Sequence, residues 1–254
     1  MSSDTISLDE ALPVWDGPAL PTVFLSHGSP RSAQDPPDRE HIQAWTNLWS
    51  TIQEVSGCSH DAPAAILMIS AHWETSDAVV VSNPAGQGGW RTWHDFFGFP
   101  PALYQKTYDA PAWEDAPKVA DLIASRLTSA GIPARAEVRE DRHLDHGAWM
   151  PLTLAFPKVD VPVIQISLLA SLDPSTHCRL GQELSFLRAH GVLIIGSGSM
   201  THNMKPAPHI NEDLHQFVSD SLTILGDRPD LDVLEKCLSI AGLDTMATAH
   251  PRTE

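Results

Sequence analysis

The chain has 254 residues, of which 42% are hydrophobic and 19% charged, the proportions of a folded protein rather than a disordered one. Its 16 basic and 32 acidic side chains give a formal charge of −16, which argues against a nucleic-acid partner because phosphate binding depends on clustered lysine and arginine. No run approaches the roughly 18 consecutive apolar residues of a membrane span, and the N-terminus lacks the basic and apolar regions of a secretory signal.

The first half of the chain is predicted to alternate strands with helices after an irregular arm at residues 1–19. Short apolar runs predict strands at 21–26, 64–70 and 78–82. Apolar residues recur with helical spacing from His41 to Val55. Residues 84–111 are rich in glycine, proline and aromatic residues without a period, which indicates a long functional loop.

The second half continues the alternation. The predicted helices are 112–131, 174–190, 209–225 and 230–241, and the predicted strands are 134–138, 161–168 and 192–195. Apolar strands alternating with helices predict a single α/β domain over residues 20–254 with a largely covered sheet. The sheet is expected to be mixed, because too few residues separate the strands at 64–70 and 78–82 for a helical crossover.

The three cysteines favour a cytoplasmic protein. Cys58, Cys178 and Cys237 are odd in number, far apart and in no Cys-x-x-Cys pattern. Reduced thiols buried as small apolar residues account for them better than a disulfide framework does.

Three histidines follow predicted buried strands. His27 comes directly after residues 21–26, His72 one residue after 64–70, and His202 after the Gly/Ser turn that follows 192–195. Ligands of open α/β sheets bind outside the carboxyl ends of the strands, and imidazole is a common ligand of zinc and iron. The pattern therefore predicts a divalent-metal site, the alternative being three unrelated loop histidines that bond to the backbone.

Six segments occur in the order found in one enzyme family. They are Leu25–Pro30, Ile69–Trp73, His94–Pro100, Leu144–Trp149, Gly196–Asn203 and Ala249–Pro251. On these residues the chain resembles the class III extradiol ring-cleavage dioxygenases, in the DOPA-dioxygenase-type branch related to the β-subunit of protocatechuate 4,5-dioxygenase.

The resemblance implies a mononuclear metal site that uses Fe(II) for catalysis, although members of this branch are also found with zinc. By motif position His27 and His72 correspond to metal ligands, and His202 to an acid/base beside the metal that is also a candidate ligand. The resemblance makes His146 a second catalytic histidine near the substrate oxygens, and assigns His94 and Phe99 to substrate binding. The implied substrates are a small catechol-type aromatic diol and dioxygen.

One segment departs from the family pattern. The family has His-Pro-x-x-x-His followed by an apolar segment, whereas His250 and Pro251 are followed here only by Arg252, Thr253 and Glu254. Either the catalytic domain continues beyond this sequence, or His250, His202 or a water completes the metal site. The first alternative predicts that the 254-residue chain binds metal weakly or is inactive, and that a longer chain is active.

The predicted function is extradiol opening of a catechol ring. Seven aromatic residues are candidates for the wall of its pocket: Trp73, Trp90, Trp93, Phe96, Phe97, Phe99 and Trp149. Two alternatives stay open on the residues alone. The same histidines can activate water on zinc in a hydrolase, and a relative without activity can serve as an interaction protein.

Overall fold

The computed structural model describes residues 12, 14–34, 40–82, 88–139, 141–158, 160–200, 202 and 219. Apart from residue 219, the helices predicted at 209–225 and 230–241 lie outside these residues, as do Cys237 and the His250 segment. The chain divides into two compact units, the first comprising Met1–Leu172 with Leu180–Gly198 and the second Asp173–Arg179 with Ser199–Glu254. The domain boundary predicted between residues 19 and 20 stays a prediction.

The first unit is built on a sheet of six strands among its described residues. The strands are β1 (Thr22–Ser26), β2 (Ala65–Thr75), β3 (Val79–Ser82), β4 (Ala134–Glu137), β5 (Val163–Leu169) and β6 (Val192–Gly198). Their order is β1-β6-β2-β5-β3-β4, and all neighbours are parallel except the antiparallel pair of β3 with β5. The predicted α/β class and mixed sheet are confirmed.

Five α-helices lie among the described residues: α1 (Glu40–Thr46), α2 (Leu48–Ser56), α3 (Ala116–Ser129), α4 (His146–Ala155) and α5 (Pro174–Leu184). The helix predicted over 41–55 is interrupted at Asn47, and the helix predicted to reach residue 190 becomes a 3-10 helix after Leu184. No helix in the described part of the chain is both long and apolar enough to cross a membrane.

The two faces of the sheet bury separate hydrophobic clusters. Along β2, Ile66 and Met68 belong to one cluster and Ala65 and Leu67 to the other. Successive strand side chains point to opposite faces, so a strand covered on both faces needs an unbroken apolar run. This is why the central strands were predictable from short apolar runs rather than from alternation.

Helix α4 was not predicted. Gly147 and Pro151 lie within it, and both residues disfavour a helix interior. Eight of its ten residues are buried, so it has no polar face from which a helical period can be recognised. Its start is marked by Asp145, whose carboxylate accepts a hydrogen bond from the Ala148 N–H, as N-cap residues do.

Candidate metal centre

The carboxyl ends of three parallel neighbours, β1, β6 and β2, meet at one edge of the sheet. Ser26 pairs with Gly198 and Ser70 pairs with Ser197. His27 extends this edge by one residue, and its backbone N–H donates to the Gly198 carbonyl at 3.2 Å. The first histidine is therefore held by the sheet itself.

The second histidine lies within β2 rather than after it, because this strand is longer than predicted. Its register with β5 shifts between Ile69 and Glu74, and within that irregular stretch Ala71 and His72 are both exposed. A bulge of this kind breaks the alternation of side chains and redirects one of them. The His72 backbone N–H donates to the Ser70 hydroxyl at 3.2 Å, which supports the irregular backbone.

The structure brings three histidines together. Each of His27, His72 and His146 offers one ring nitrogen, and these nitrogens all lie within 4.8 Å of one another. The Nε2 atoms of His27 and His72 are 3.1 Å apart. His27 and His146 are buried, whereas His72 is exposed, so the group opens to solvent on one side. His27 and His72 were predicted to converge, and His146 was predicted as an active-site histidine.

The proton of the His27 ring can be assigned from its neighbours. The Ser197 hydroxyl donates its only proton to the Gly147 carbonyl. It must therefore accept from His27, whose Nδ1 lies 3.0 Å away. With the proton on Nδ1, the Nε2 atom keeps the lone pair that a metal ion requires.

A single carboxylate serves the other two rings. Asp95 Oδ1 accepts from both Nδ1 (2.9 Å) and the backbone N–H (2.8 Å) of His146. Its second oxygen lies 3.6 Å from His72 Nδ1, within ion-pair distance but too far for a good hydrogen bond. The Nε2 atom of His146 is thereby left with a lone pair, as in His27.

Two opposing effects act on the Asp95 carboxyl. Burial raises its pKa, but the hydrogen bonds donated by His146 and the nearby imidazoles of His146 and His72 lower the pKa more, so that it lies below its usual value. The carboxylate is therefore ionised at neutral pH. Asp95 lies in the segment His94–Pro100, but the sequence alone predicts no role for it. The available signal is an acid that stands between His94 and Phe96 in an aromatic segment.

A buried ion pair supports the start of α4. Asp145 is fully buried and accepts from the Ser70 hydroxyl at 2.6 Å and from the guanidinium of buried Arg142. Burial lowers the pKa of Arg142, although the Asp145 carboxylate opposes this change. Because a buried charge that loses its partner is strongly destabilising, this pair holds the first turn of the helix, which carries His146.

Aromatic rings adjoin the histidines on the α4 side. The Phe96 ring lies edge-on to His146 with centroids 5.8 Å apart. Around Phe96 lie Phe99 and Tyr104 at 5.2 Å each and His94 at 5.6 Å. The half-buried His94 ring has its Nε2 atom 2.9 Å from the Lys106 carbonyl oxygen. His94 and Phe99 thus both contact Phe96, and Phe96 in turn contacts His146 of the histidine group.

The other aromatic candidates for a pocket wall have different surroundings. Trp73, Trp90 and Trp149 are buried. Trp73 and Trp93 flank the Arg142 guanidinium at 4.7 and 5.2 Å. Phe97 is 92% exposed.

The three grouped histidines belong to the first unit, whereas His202 belongs to the second. His202 is exposed. Ser199 and Met200, which precede it in the second unit, are described, but its direct neighbours on both sides lie outside the described part of the chain. Its roles as acid/base and as ligand stay predictions.

The donor set fits a metal ion. Three imidazoles each offer one ring nitrogen within 4.8 Å of the other two, and imidazole is a ligand that zinc, iron and copper accept. Nδ1 is engaged by an outer partner in His27 and in His146. The carboxylate and the hydroxyl behind the rings are outer partners of the kind found around metal-bound histidines. The donor set does not select one of these metals.

Comparison with known proteins agrees with this chemistry. The sequence model of the family described as "Catalytic LigB subunit of aromatic ring-opening dioxygenase" matches residues 21–241. A Beta vulgaris protein named 4,5-DOPA dioxygenase extradiol is 40% identical over 189 residues, which are 74% of this chain and 64% of that protein. A protein of the same name from Escherichia coli K12 is 33% identical over 186 residues, 73% of this chain and 61% of that protein.

The fold has a counterpart among solved structures. The crystal structure of an uncharacterized protein from Escherichia coli K12 matches with a TM-score of 0.63 at 25% identity, over 93% of this chain and 83% of that one. The chain spans less than two thirds of the length of the two named dioxygenases. The family match covers most of the chain, including all three grouped histidines. The chain therefore belongs to the LigB family of aromatic ring-opening dioxygenases.

Proposed function

We propose that the chain is an extradiol dioxygenase that opens the ring of a catechol-type aromatic with dioxygen. The observation that carries the proposal is the convergence of three histidine nitrogens within 4.8 Å. The names of the relatives from Beta vulgaris and Escherichia coli support it and suggest DOPA as the first substrate to test.

In this proposal His27 and His72 hold Fe(II) through Nε2, with His202 as a further ligand. Bound Fe(II) supplies the redox chemistry by which dioxygen reacts with an aromatic diol. Ser197 and Asp95 act as outer partners, because Ser197 engages Nδ1 of His27 and Asp95 engages Nδ1 of His146. Iron rather than zinc is part of the proposal.

His146 is proposed to move a proton. Its Nδ1 proton is held by Asp95, so its Nε2 atom can accept a proton from a catechol oxygen and later return it. His202 is proposed as the second acid/base, following the resemblance of its motif.

His94 and Phe99 are proposed to bind the substrate ring. Both contact Phe96, which contacts His146 edge-on, so an aromatic ring beside His146 would meet an apolar and aromatic surface. Such a surface favours a flat ring and excludes water from it. The zinc-hydrolase and interaction-protein alternatives have no observation in their favour, and the cytoplasmic location stays a prediction.

Metal reconstitution tests the proposal. Metal-free protein is loaded anaerobically with either Fe(II) or Zn(II), and oxygen uptake is followed with DOPA and with tyrosine, which lacks the second hydroxyl. We expect one dioxygen consumed for each ring opened, only with Fe(II) and only with the diol. A His27→Ala variant provides the protein control. Absence of oxygen uptake with Fe(II) and any catechol of a panel, or ester cleavage with Zn(II), would overturn the proposal.

A further inference from the structure

An unusual hydrogen bond reaches the metal centre from the interior of α4. In a regular helix the N–H of residue 151 would donate to the carbonyl of Gly147, four residues earlier. Residue 151 is a proline and has no N–H. The Gly147 carbonyl instead accepts the proton of the Ser197 hydroxyl, which belongs to β6.

The neighbouring residue explains how the helix comes so close to the sheet. A Cβ atom on Gly147 would lie 2.7 Å from Ser70 Oγ and 3.1 Å from His27 Cε1. The first distance is shorter than any ordinary contact, and Ser70 is buried and already donates to Asp145. Only glycine therefore lets the helix backbone approach both His27 and Ser70 so closely.

We infer that Ser197 is a positioning residue for His27, and that Pro151 preserves the Gly147 carbonyl as the acceptor for Ser197. The chain of contacts runs from that carbonyl through the Ser197 hydroxyl to His27 Nδ1, and Ser197 and His27 are both buried. It holds the imidazole proton on Nδ1 and so keeps Nε2 available. The inference rests on the metal centre proposed above.

Removal of the hydroxyl tests the first half of this inference. In Ser197→Ala the buried Nδ1 of His27 loses its acceptor, which favours the other tautomer or a rotated ring. Loss of an outer partner of a metal-bound histidine typically lowers metal affinity about 10–100-fold. We expect a loss in that range for Zn(II), measured by competition with a chromophoric chelator.

The matched control is Ser167→Ala. Ser167 is also a fully buried strand serine, and its hydroxyl bonds with Thr75 and accepts from the Val80 N–H. We expect Ser167→Ala to be destabilised while its Zn(II) affinity stays that of the parent protein. Histidine ¹⁵N–¹H spectra of the metal-free proteins give a second readout, in which the Nδ1–H tautomer of His27 is lost only in Ser197→Ala.

Pro151→Ala tests the second half and does not depend on the folding of the serine variant. It supplies a new N–H at residue 151 that competes with Ser197 for the Gly147 carbonyl. A proline with only a structural role predicts a higher unfolding midpoint and unchanged metal affinity. Our inference predicts the same or higher midpoint together with a several-fold weaker affinity for Zn(II).

The outcomes separate this inference from the function on which it rests. Failure of the parent protein to bind Zn(II) or Fe(II) would overturn the proposed metal centre, and the inference with it. Binding by the parent protein with undiminished affinity in both Ser197→Ala and Pro151→Ala would overturn the inference alone.

Discussion

The two sides of the histidine group are supported in different ways. His27 is oriented by neutral partners, the Ser197 hydroxyl and behind it the Gly147 carbonyl, and both Ser197 and His27 lie at the edge of the sheet. His146 and His72 share one carboxylate from Asp95, which lies in the irregular residues 93–100. One side thus depends on backbone geometry and the other on a charge.

The two kinds of support should differ in how strongly they depend on pH. A hydroxyl and a carbonyl do not titrate, so the His27 side keeps its hydrogen bonds at any pH at which the fold persists. The half-buried Asp95 carboxylate must stay ionised to serve two rings, and it acts on both at once. Changes on the charged side should therefore have the larger effect on metal binding and the clearer dependence on pH.

The largest expected effect concerns His202, which is proposed as the second acid/base and as a further ligand, since His27 and His72 remain to hold the ion when His202 is replaced. We expect His202→Ala and His202→Phe to lower turnover by about 10²–10⁴-fold, the usual contribution of general acid–base catalysis, while most of the metal stays bound. Oxygen uptake and metal content of the same samples measure both quantities. His60→Ala is the control, since His60 pairs with Asp16 and stacks on Trp15. Unchanged turnover would remove His202 from the mechanism.

The next effect contrasts the two sides directly. Asp95→Asn removes the charge shared by His146 and His72, so we expect its loss of Zn(II) affinity to lie at the upper end of the roughly 10–100-fold range and to exceed that of Ser197→Ala. Asp109→Asn is the matched control. Like Asp95, Asp109 accepts two hydrogen bonds from one residue, here the backbone N–H and the hydroxyl of Thr92. Equal losses in Asp95→Asn and Ser197→Ala would contradict the distinction between a charged and a neutral side.

More of the His27 side than of the Asp95 side of the site could be predicted from the sequence. Apolar runs identify β1, β2 and β6, and parallel strands bring their carboxyl ends together, so the proximity of His27 and His72 follows from local patterns. The Asp95–His146 contact joins residues 51 positions apart through a loop without periodicity. No local rule connects such residues.

Helix α4 escaped prediction for a related reason. Gly147 and Pro151 break the rules for a helix interior, and the site explains both exceptions through contacts with Ser70, His27 and Ser197. The bulge that redirects His72 is likewise invisible in the composition of β2. Departures from local propensity at a functional site are expected, since function rather than stability accounts for them.

A smaller effect tests the close approach on the neutral side. Gly147→Ala forces a methyl group against Ser70 and His27, and overpacking of this kind costs about 1–3 kcal/mol, more than the helix preference of alanine over glycine of up to about 1 kcal/mol can offset. We expect a lower free energy of unfolding in urea. Gly181→Ala in α5 is the control, because its Cβ would meet no atom within 4 Å and it should be neutral or stabilising. A stabilised Gly147→Ala variant would show that the gap can open without strain.

The smallest expected effect is a pH dependence confined to the charged side. The pKa of Asp95 is lowered in the folded protein, so this carboxylate contributes stability that is present above its unfolded pKa of about 3.9 and is lost as the pH falls through the folded value. The free energy of unfolding of the metal-free parent protein should therefore exceed that of Asp95→Asn above about pH 4, and the difference should shrink below that pH. The deficit of Ser197→Ala should stay constant over the same range, because neither its hydroxyl nor the Gly147 carbonyl titrates. Urea unfolding at a series of pH values measures both differences, and parallel curves for the two variants would mean that Asp95 acts through packing rather than through its charge.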